Sequence, residues 1–143
     1  MSVRDTWCPG FESVTFKPIL VIEDHPVNLE LILNLLEVYD YQAVHAVTAL
    51  AGIELARSVA PALILMDLSL PGVNGFEAIR KLKADAQTTG IPIIAVTAHA
   101  LATHRKAALD LGCCAFVTKP IDPRGLMLEI KRILEIDTTP ATT

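Results

Sequence analysis

Three short apolar runs, each of which ends in a charged residue, restrict the fold of this chain more than any other feature. They occupy residues 19–24, 63–67 and 115–119. Each run has the length and composition of a β-strand that is buried on both faces of a sheet. A charge at the tip of such a strand cannot stay buried without a partner. Because the carboxyl ends of parallel strands share one edge of a sheet, we expect these charged tips to meet there.

A regular alternation of strand-like and helix-like patterns runs through the chain. In several segments the apolar residues follow the i, i+3, i+4, i+7 spacing of a buried helix face, for example at Leu29, Ile32, Leu33 and Leu36. The predicted strands cover residues 19–23, 42–47, 62–67, 91–96 and 114–118, and the predicted helices cover residues 27–39, 48–59, 74–85, 99–111 and 122–136. Five such units predict a doubly wound α/β fold in three layers, with a parallel sheet between two layers of helices.

The composition is typical of one domain whose sheet is covered on both faces. The chain has 143 residues, of which 52% are hydrophobic and 20% are charged, and this length suffices to bury a substantial core. Its apolar runs extend over only about five residues, whereas a membrane-spanning helix needs roughly 20. The net charge is −4 and there is no basic tract. We therefore expect neither membrane insertion nor direct contact with nucleic acid.

The three cysteines offer neither a disulfide framework nor the spacing of zinc ligands, because Cys8 stands alone and Cys113 and Cys114 are adjacent. We interpret them as small buried residues next to a strand, since free cysteines are commonly buried. The first residues also lack the apolar segment of a secretion signal. These features together predict a reducing, cytoplasmic location.

The carboxylates at the predicted strand ends indicate a metal site. Glu23, Asp24 and Asp67 would repel one another at close range and raise their own pKa values unless a cation neutralised them. An all-oxygen set suits Mg²⁺, which binds through one or two carboxylates and then recruits phosphate oxygens. Thr97 and Lys119 end two further strands at the same edge. A hydroxyl and an ammonium there are suited to hold phosphoryl oxygens during transfer.

Four linked motifs carry these residues: VIEDHPVN at residues 21–28, LMDLSLPGVNG at 65–75, AVTAHA at 95–100 and FVTKP at 116–120. In this order and spacing they resemble the receiver domain of two-component response regulators, over about residues 18–136. Within that family the chain is similar to single-domain regulators of bacterial cell-cycle control and to the receivers of hybrid kinases. The resemblance implies a flavodoxin-like fold with strand order 2-1-3-4-5.

The resemblance also implies a role for each residue of the predicted site. Asp67 would accept a phosphoryl group from a sensor histidine kinase or a histidine phosphotransfer protein, in a phosphorelay. Asp24 and Asp67 would bind Mg²⁺ directly, together with the backbone carbonyl of Ser69. Glu23 matches the first acidic position of the family, which acts on the ion through water or directly. It departs from the family in being longer than the aspartate that is common there, so the resemblance does not fix its contact. Lys119 would pair with a phosphoryl oxygen.

A conformational switch is a further implication of the resemblance. Thr97 would move toward the phosphoryl group and Phe116 would follow it inward, although Phe116 equally suits plain core packing. The bond between Lys119 and Pro120 would be cis, a geometry that in practice requires proline. These changes would alter the face formed by the fourth helix, the fifth strand and the fifth helix, and with it the binding of a downstream protein partner.

Two surface features admit more than one interpretation. His25 and His99 are expected at the rim of the acidic crevice, either as exposed loop residues or, like Ser69, as determinants of how long the phosphate survives. Leu31, Leu35 and Val38 fall partly outside the buried stripe of the first helix. They could contact a kinase or phosphotransfer protein, or they could be partly covered by the last helix.

The segments that flank the predicted domain of residues 18–136 differ from it in composition. Residues 1–17 form an N-terminal extension without periodicity, yet it contains Trp7, Phe11 and Phe16, which are three of the seven aromatic residues. This extension could pack on the domain, bind a partner or be foreign to the natural protein. Residues 137–143 are expected to be a flexible tail. Because little sequence follows residue 136, we expect output through protein contact rather than through a second domain.

Three functions fit the sequence. The first is a single-domain response regulator, which is not an enzyme beyond its own phosphorylation and dephosphorylation. The second is a Mg²⁺-dependent aspartyl-phosphate phosphatase or phosphotransferase. Such enzymes usually carry a second acid two residues after the nucleophile, where this chain has Ser69. The third is a receiver-like scaffold that binds partners without phosphorylation, and the intact set of site residues argues against it.

Overall fold

A computed structural model describes residues 17–69, 75–98 and 102–138, with side chains up to residue 135. The N-terminal aromatic residues, Cys8, Pro71, His99 and the last five residues lie outside these ranges. Within them the chain forms five strands and five helices that alternate strictly. The strands are β1 (Ile19–Ile22), β2 (Ala43–Ala46), β3 (Leu63–Asp67), β4 (Ile93–Thr97) and β5 (Ala115–Thr118). The helices are α1 (Pro26–Val38), α2 (Ala49–Val59), α3 (Gly75–Ala84), α4 (Ala102–Asp110) and α5 (Pro123–Thr138).

All five strands are parallel and lie in the order β2-β1-β3-β4-β5. Ile22 at the end of β1 is level with Met66 in β3, and Asp67 is level with Val96 in β4. Thr97 is level with Thr118 at the end of β5. This register confirms the predicted doubly wound fold and its strand order, and it aligns the carboxyl ends of four strands along one edge.

The core lies in two layers, because successive strand residues point to opposite faces of the sheet. On one face Leu20, Ile22, Ile64 and Met66 pack with residues of α2, α3 and α4. On the other face Ile19, Val21, Leu63 and Leu65 pack with residues of α1 and α5. The helices therefore cover both faces, and the central strands β1 and β3 are buried throughout, as their composition predicts.

The prediction that the fifth strand is buried on both faces is wrong. Phe116 is buried, but Ala115 and Val117 are only partly buried and Thr118 is exposed. β5 pairs with β4 alone and forms an edge of the sheet. Its apolar side chains therefore pack against both core layers, but the open edge leaves Ala115 and Val117 only partly covered.

The two cysteines before β5 have different surroundings. Cys113 is buried, and this burial raises the pKa of its thiol to about 12. Cys114 is exposed, and its backbone N–H donates to the carbonyl of Ile93 at 2.8 Å. The prediction of buried cysteines is thus confirmed for Cys113 and wrong for Cys114, because Cys114 stands where the chain joins the edge strand.

Gly75 lets the chain leave β3 and begin α3 without a clash. A Cβ atom on Gly75 would lie 2.5 Å from the Cα atom of Leu68, a contact with backbone that no side-chain rotation relieves. Glycine at this position therefore allows the helix to start directly against the residue that follows Asp67. In the part of the chain that the structure describes, no helix combines the length and apolar character needed to cross a membrane.

Candidate metal and phosphoryl site

The sheet brings the charged strand tips to one place, as expected from the sequence. Glu23 follows the last residue of β1, and Asp67 and Thr97 are the last residues of β3 and β4. Lys119 follows the last residue of β5, and its backbone N–H donates to the carbonyl of Thr97 at 2.8 Å. Residues that are as many as 96 positions apart therefore share a single crevice at the carboxyl edge of the sheet.

Three carboxylates form the acidic part of this crevice. Oxygen atoms of Glu23, Asp24 and Asp67 all lie within 4.8 Å of one another. Glu23 and Asp67 are buried, whereas Asp24 is exposed. The cluster is therefore closed on the side of the sheet and open to solvent on the side of Asp24.

Lys119 connects two of these carboxylates. Its Nζ atom donates to Oδ2 of Asp67 at 3.1 Å and to Oε2 of Glu23 at 3.4 Å. Burial by itself would lower the pKa of the Lys119 ammonium, but the hydrogen bond and charge of Asp67, together with Glu23, outweigh it and raise that pKa. The lysine is thus held in its charged form at the centre of the site.

Asp67 is fixed by hydrogen bonds to both of its carboxylate oxygens. Oδ1 accepts from the backbone N–H of Ser69 at 2.9 Å, and Oδ2 accepts from Lys119. The backbone N–H of Leu68 donates to the carbonyl of Val96 at 2.8 Å and anchors the turn to β4. The predicted phosphate acceptor therefore has a defined orientation, and Ser69, the predicted carbonyl ligand, lies in the same turn.

Glu23 is the least satisfied member of the cluster. Only 1% of its surface is exposed. Burial and the nearby carboxylate of Asp67 raise its pKa to about 7, although the backbone N–H of His25 and the charge of Lys119 act to lower that pKa. Its Oε2 accepts from the backbone N–H of His25 at 3.2 Å. Its Oε1 lies 3.3 Å from Lys119 Nζ but accepts no hydrogen bond within the described part of the chain. A buried carboxyl oxygen without a hydrogen-bond donor is suited to bind a cation.

The donor set fits Mg²⁺. Three ionised carboxylates and one ammonium leave the site with a formal charge of −2, which one divalent cation would neutralise. The cluster contains only carboxylate groups, without histidine or cysteine, and hard oxygen ligands favour Mg²⁺ over softer metals. The arrangement can therefore hold a divalent cation beside Asp67 and keep an ammonium within reach of an incoming phosphoryl group.

Thr97 and Phe116 occupy the predicted switch positions. Thr97 is buried at the end of β4, and Phe116 belongs to the core layer formed with α2, α3 and α4. The guanidinium of Arg105 in α4 lies 5.8 Å from the centre of the Phe116 ring. The bond between Lys119 and Pro120 is cis, as the resemblance implies. In this state Phe116 is a packed core residue, and its movement stays a prediction.

Sequence reasoning missed two contributions near the site. The backbone N–H of His25 donates to the carboxylate of Glu23. The sequence had drawn attention only to the side chain of His25, which is exposed. Arg105 lies over Phe116, but an arginine on a largely exposed helix gives no sequence signal of that contact. On α1, Leu31 and Val38 are exposed as expected, whereas Leu35 packs partly against the core.

Comparisons with known proteins agree with this geometry. Residues 19–131 match the family described as the response regulator receiver domain. The chain is 36% identical over 118 residues to the polar-differentiation response regulator DivK of Brucella ovis. The aligned region covers 82% of this chain and 96% of that protein.

Solved structures show the same fold. A receiver domain protein from Methanospirillum hungatei JF-1 superposes with a TM-score of 0.81 at 28% identity, over 89% of this chain and 100% of that chain. The receiver domain of a sensor histidine kinase from Pseudomonas aeruginosa PAO1 has a TM-score of 0.77 at 30% identity, over 83% of this chain and 98% of that chain. That structure contains a magnesium ion coordinated in its active-site cleft.

Proposed function

This chain belongs to the response regulator receiver family, and from that premise we propose that it accepts a phosphoryl group on Asp67 in a Mg²⁺-dependent reaction. The donor would be a sensor histidine kinase or a histidine phosphotransfer protein in a cytoplasmic phosphorelay. One observation carries the proposal: the Lys119 ammonium joins the buried carboxylates of Asp67 and Glu23, beside the exposed Asp24.

Four groups of this chain would hold the metal ion. Asp24 and Asp67 would supply carboxylate oxygens, and Ser69 would supply its backbone carbonyl. The Oε1 atom of Glu23, which accepts no hydrogen bond within the described residues, would supply a further oxygen. When bound, Mg²⁺ supplies positive charge that offsets the negative charge of the transferring group. Because carboxylate oxygens of Glu23, Asp24 and Asp67 already lie within 4.8 Å of one another, these side chains would need little rearrangement to bind an ion.

The transfer itself needs an acceptor oxygen and neutralisation of charge. A carboxylate oxygen of Asp67 forms a bond to phosphorus while the P–N bond of the donor phosphohistidine breaks, and the electron pair of that bond stays on the imidazole nitrogen. Lys119, which already contacts Asp67 at 3.1 Å, then pairs with an oxygen of the phosphoryl group. The protein acts as the acceptor, with self-catalysed transfer and dephosphorylation but no turnover of a separate substrate.

The phosphorylated state would be communicated through Thr97 and Phe116. Thr97 is at the end of β4, next to the strand that carries Asp67, so its hydroxyl is well placed to bind a phosphoryl oxygen. Phe116 is covered by Arg105, which ties the position of its ring to that of α4. A shift of both residues would change the face formed by α4, β5 and α5 and so the affinity for a downstream protein partner.

The phosphodonor would dock beside the first turns of α1. Val27, which is 66% exposed, lies three residues after Asp24, and Leu31 is one helical turn further along the same side of the helix. A donor helix that packs on these side chains would bring its phosphohistidine close to the acidic crevice. Exposed apolar side chains beside a functional site are a common feature of partner surfaces.

Phosphorylation by a small phosphodonor with Mg²⁺, followed by intact mass measurement, tests the proposal. The native chain should gain the mass of one phosphoryl group, and neither Asp67→Asn nor the native chain with a metal chelator should gain it. Glu54→Gln, which replaces an exposed acid on α2, serves as the matched control and should be phosphorylated normally. Steady turnover of the donor without an adduct would instead favour an enzyme, and no reaction at all would favour a scaffold.

A further inference from the structure

The carboxyl end of α1 exposes two large apolar side chains. Val38, the last residue of the helix, is 78% exposed, and Tyr39, which follows it, is 51% exposed. We call these two residues the lower α1 surface. It lies at the end of the helix opposite to Asp24 and Val27 and is thus remote from the acidic crevice. Val38 has a larger exposed fraction than the other exposed large hydrophobic residues of the described ranges.

The N-terminal part of the chain reaches the domain next to this surface. The backbone N–H of Ile19, the first residue of β1, donates to the carbonyl of Gln42 at 2.8 Å. Gln42 is only three residues after Tyr39 in the short connection between α1 and β2. The carbonyl of Pro18 also accepts from the N–H of Ala62 at 2.9 Å, so the chain is already anchored at residue 18. The point at which residues 1–16 join the described chain is therefore fixed beside the end of α1.

That segment is unusually rich in groups that gain from burial. It contains Trp7, Phe11 and Phe16, and Trp7 is the one tryptophan of the whole chain. Aromatic side chains each bury about 150–250 Å² in cores and interfaces. The Cα atom of Phe16 lies within about 8 Å of that of Pro18 whatever its conformation, because consecutive Cα atoms are about 3.8 Å apart.

We propose that residues 1–16 dock on the lower α1 surface and cover Val38 and Tyr39 with aromatic side chains of the segment. The segment is long enough for this, since sixteen extended residues span up to about 55 Å. Its point of attachment lies nearer to this surface than to the exposed apolar residues at the opposite edge of the sheet. Leu128, which is 62% exposed, lies near the amino end of α5, and Val27 lies near the amino end of α1, both toward the opposite edge of the sheet.

The fluorescence of Trp7 in the full chain reports on this contact directly. With selective excitation of tryptophan, the emission should lie at shorter wavelength than in the urea-denatured chain and should be quenched less by acrylamide. Val38→Glu should shift the emission toward that of the denatured chain and increase the quenching, because a carboxylate would stand where an aromatic ring packs. The side chain of Val38 is so exposed that this substitution should leave the fold unchanged, which the far-UV circular dichroism checks.

Leu128→Glu is the matched control, since it places the same charge at an exposed apolar position on another helix. Its Trp7 emission and quenching should equal those of the native chain. The proposal is overturned if native Trp7 is quenched as strongly as in the denatured chain, or if Val38→Glu and Leu128→Glu give the same emission as the native chain. The measurement needs neither Mg²⁺ nor phosphate, so its outcome is independent of the function proposed for Asp67.

Discussion

Glu23 is the residue whose charge is least well accommodated by the folded chain. Burial and the neighbouring Asp67 raise its pKa from 4.5 to about 7, so the folded state binds the proton more tightly than the unfolded chain does. As pH rises from about 4.5 to about 7, the unfolded chain releases this proton first, and the folded state loses stability relative to it. The penalty is absent below this range and complete above it.

Replacing Glu23 by glutamine removes the titrating group and with it this pH dependence. Without metal, the free energy of unfolding of the native chain should fall relative to that of Glu23→Gln by at most about 3 kcal/mol between about pH 5 and about pH 8. Urea unfolding of both proteins at the two pH values, in the presence of a chelator, measures the difference. Glu54→Gln should follow the native chain at both pH values, and a Glu23→Gln variant that does the same would contradict the assignment.

The residues of the site differ in how far the sequence could predict them. Asp67, Thr97 and Lys119 could be predicted because each stands at the end of a strand, and the direction of a parallel strand determines which edge its last residue joins. The contact of Arg105 with Phe116 could not be predicted in this way. It depends on how α4 crosses β5, and the largely exposed sequence of α4 contains no apolar pattern that would fix this crossing.

At the level of elements, the turn from β3 into α3 controls how Asp67 is presented. Ser69 in this turn donates to Asp67, and the start of α3 approaches the backbone of Leu68 so closely that only glycine fits at position 75. The turn therefore links the orientation of Asp67 to the packing of a helix.

Gly75→Ala should destabilise the fold by about 2 kcal/mol, because the added Cβ would lie 2.5 Å from the Leu68 backbone and force one segment to move. Gly90→Ala is the matched control, since nothing lies within 4 Å of a Cβ atom at that position. It should be neutral or stabilise the fold by about 0.5 kcal/mol through the unfolded state. Urea denaturation gives both values, and equal stabilities of the two variants would show that the turn tolerates a side chain.

The pattern of elements was predictable, but the exposure of each element was not fully so. The apolar runs identify β1 and β3 as buried strands, and the structure confirms both. The run in β5 looks similar, yet β5 lies at an edge. An edge strand and a central strand can share an apolar composition, because periodicity alone does not show how many neighbours a strand has. The same reason explains why Cys114, just before β5, is exposed.

On the scale of the whole molecule, the site belongs to the folded chain and not to any one segment. Glu23 and Lys119 meet although 96 positions separate them, and the acidic cluster draws on the ends of both β1 and β3. A ligand that requires this arrangement binds the native state and has little affinity for the unfolded chain. Its binding free energy therefore adds to the stability of the fold.

Mg²⁺ should consequently stabilise the native chain against unfolding. At a concentration about 100 times its dissociation constant, one bound ion contributes about 2.7 kcal/mol. Thermal or urea unfolding with and without Mg²⁺ measures this gain. Asp24→Asn, which removes the exposed carboxylate of the cluster without disturbing the core, should lose most of it, and Glu54→Gln should retain it. A gain that is equal in Asp24→Asn and the native chain would place the ion elsewhere.

The arrangement of the four strand ends also has a consequence for the synthesis of the protein on the ribosome. Glu23, Asp24 and Asp67 emerge early and belong to strands that are neighbours in the sheet, whereas Lys119 follows the last strand to be translated. A nascent chain that stops before β5 would hold the acidic residues without their ammonium partner. Such a chain would lack the lysine that joins Glu23 to Asp67 in the folded protein. The complete site, with its acidic cluster and its ammonium, would thus form only when the sheet is complete.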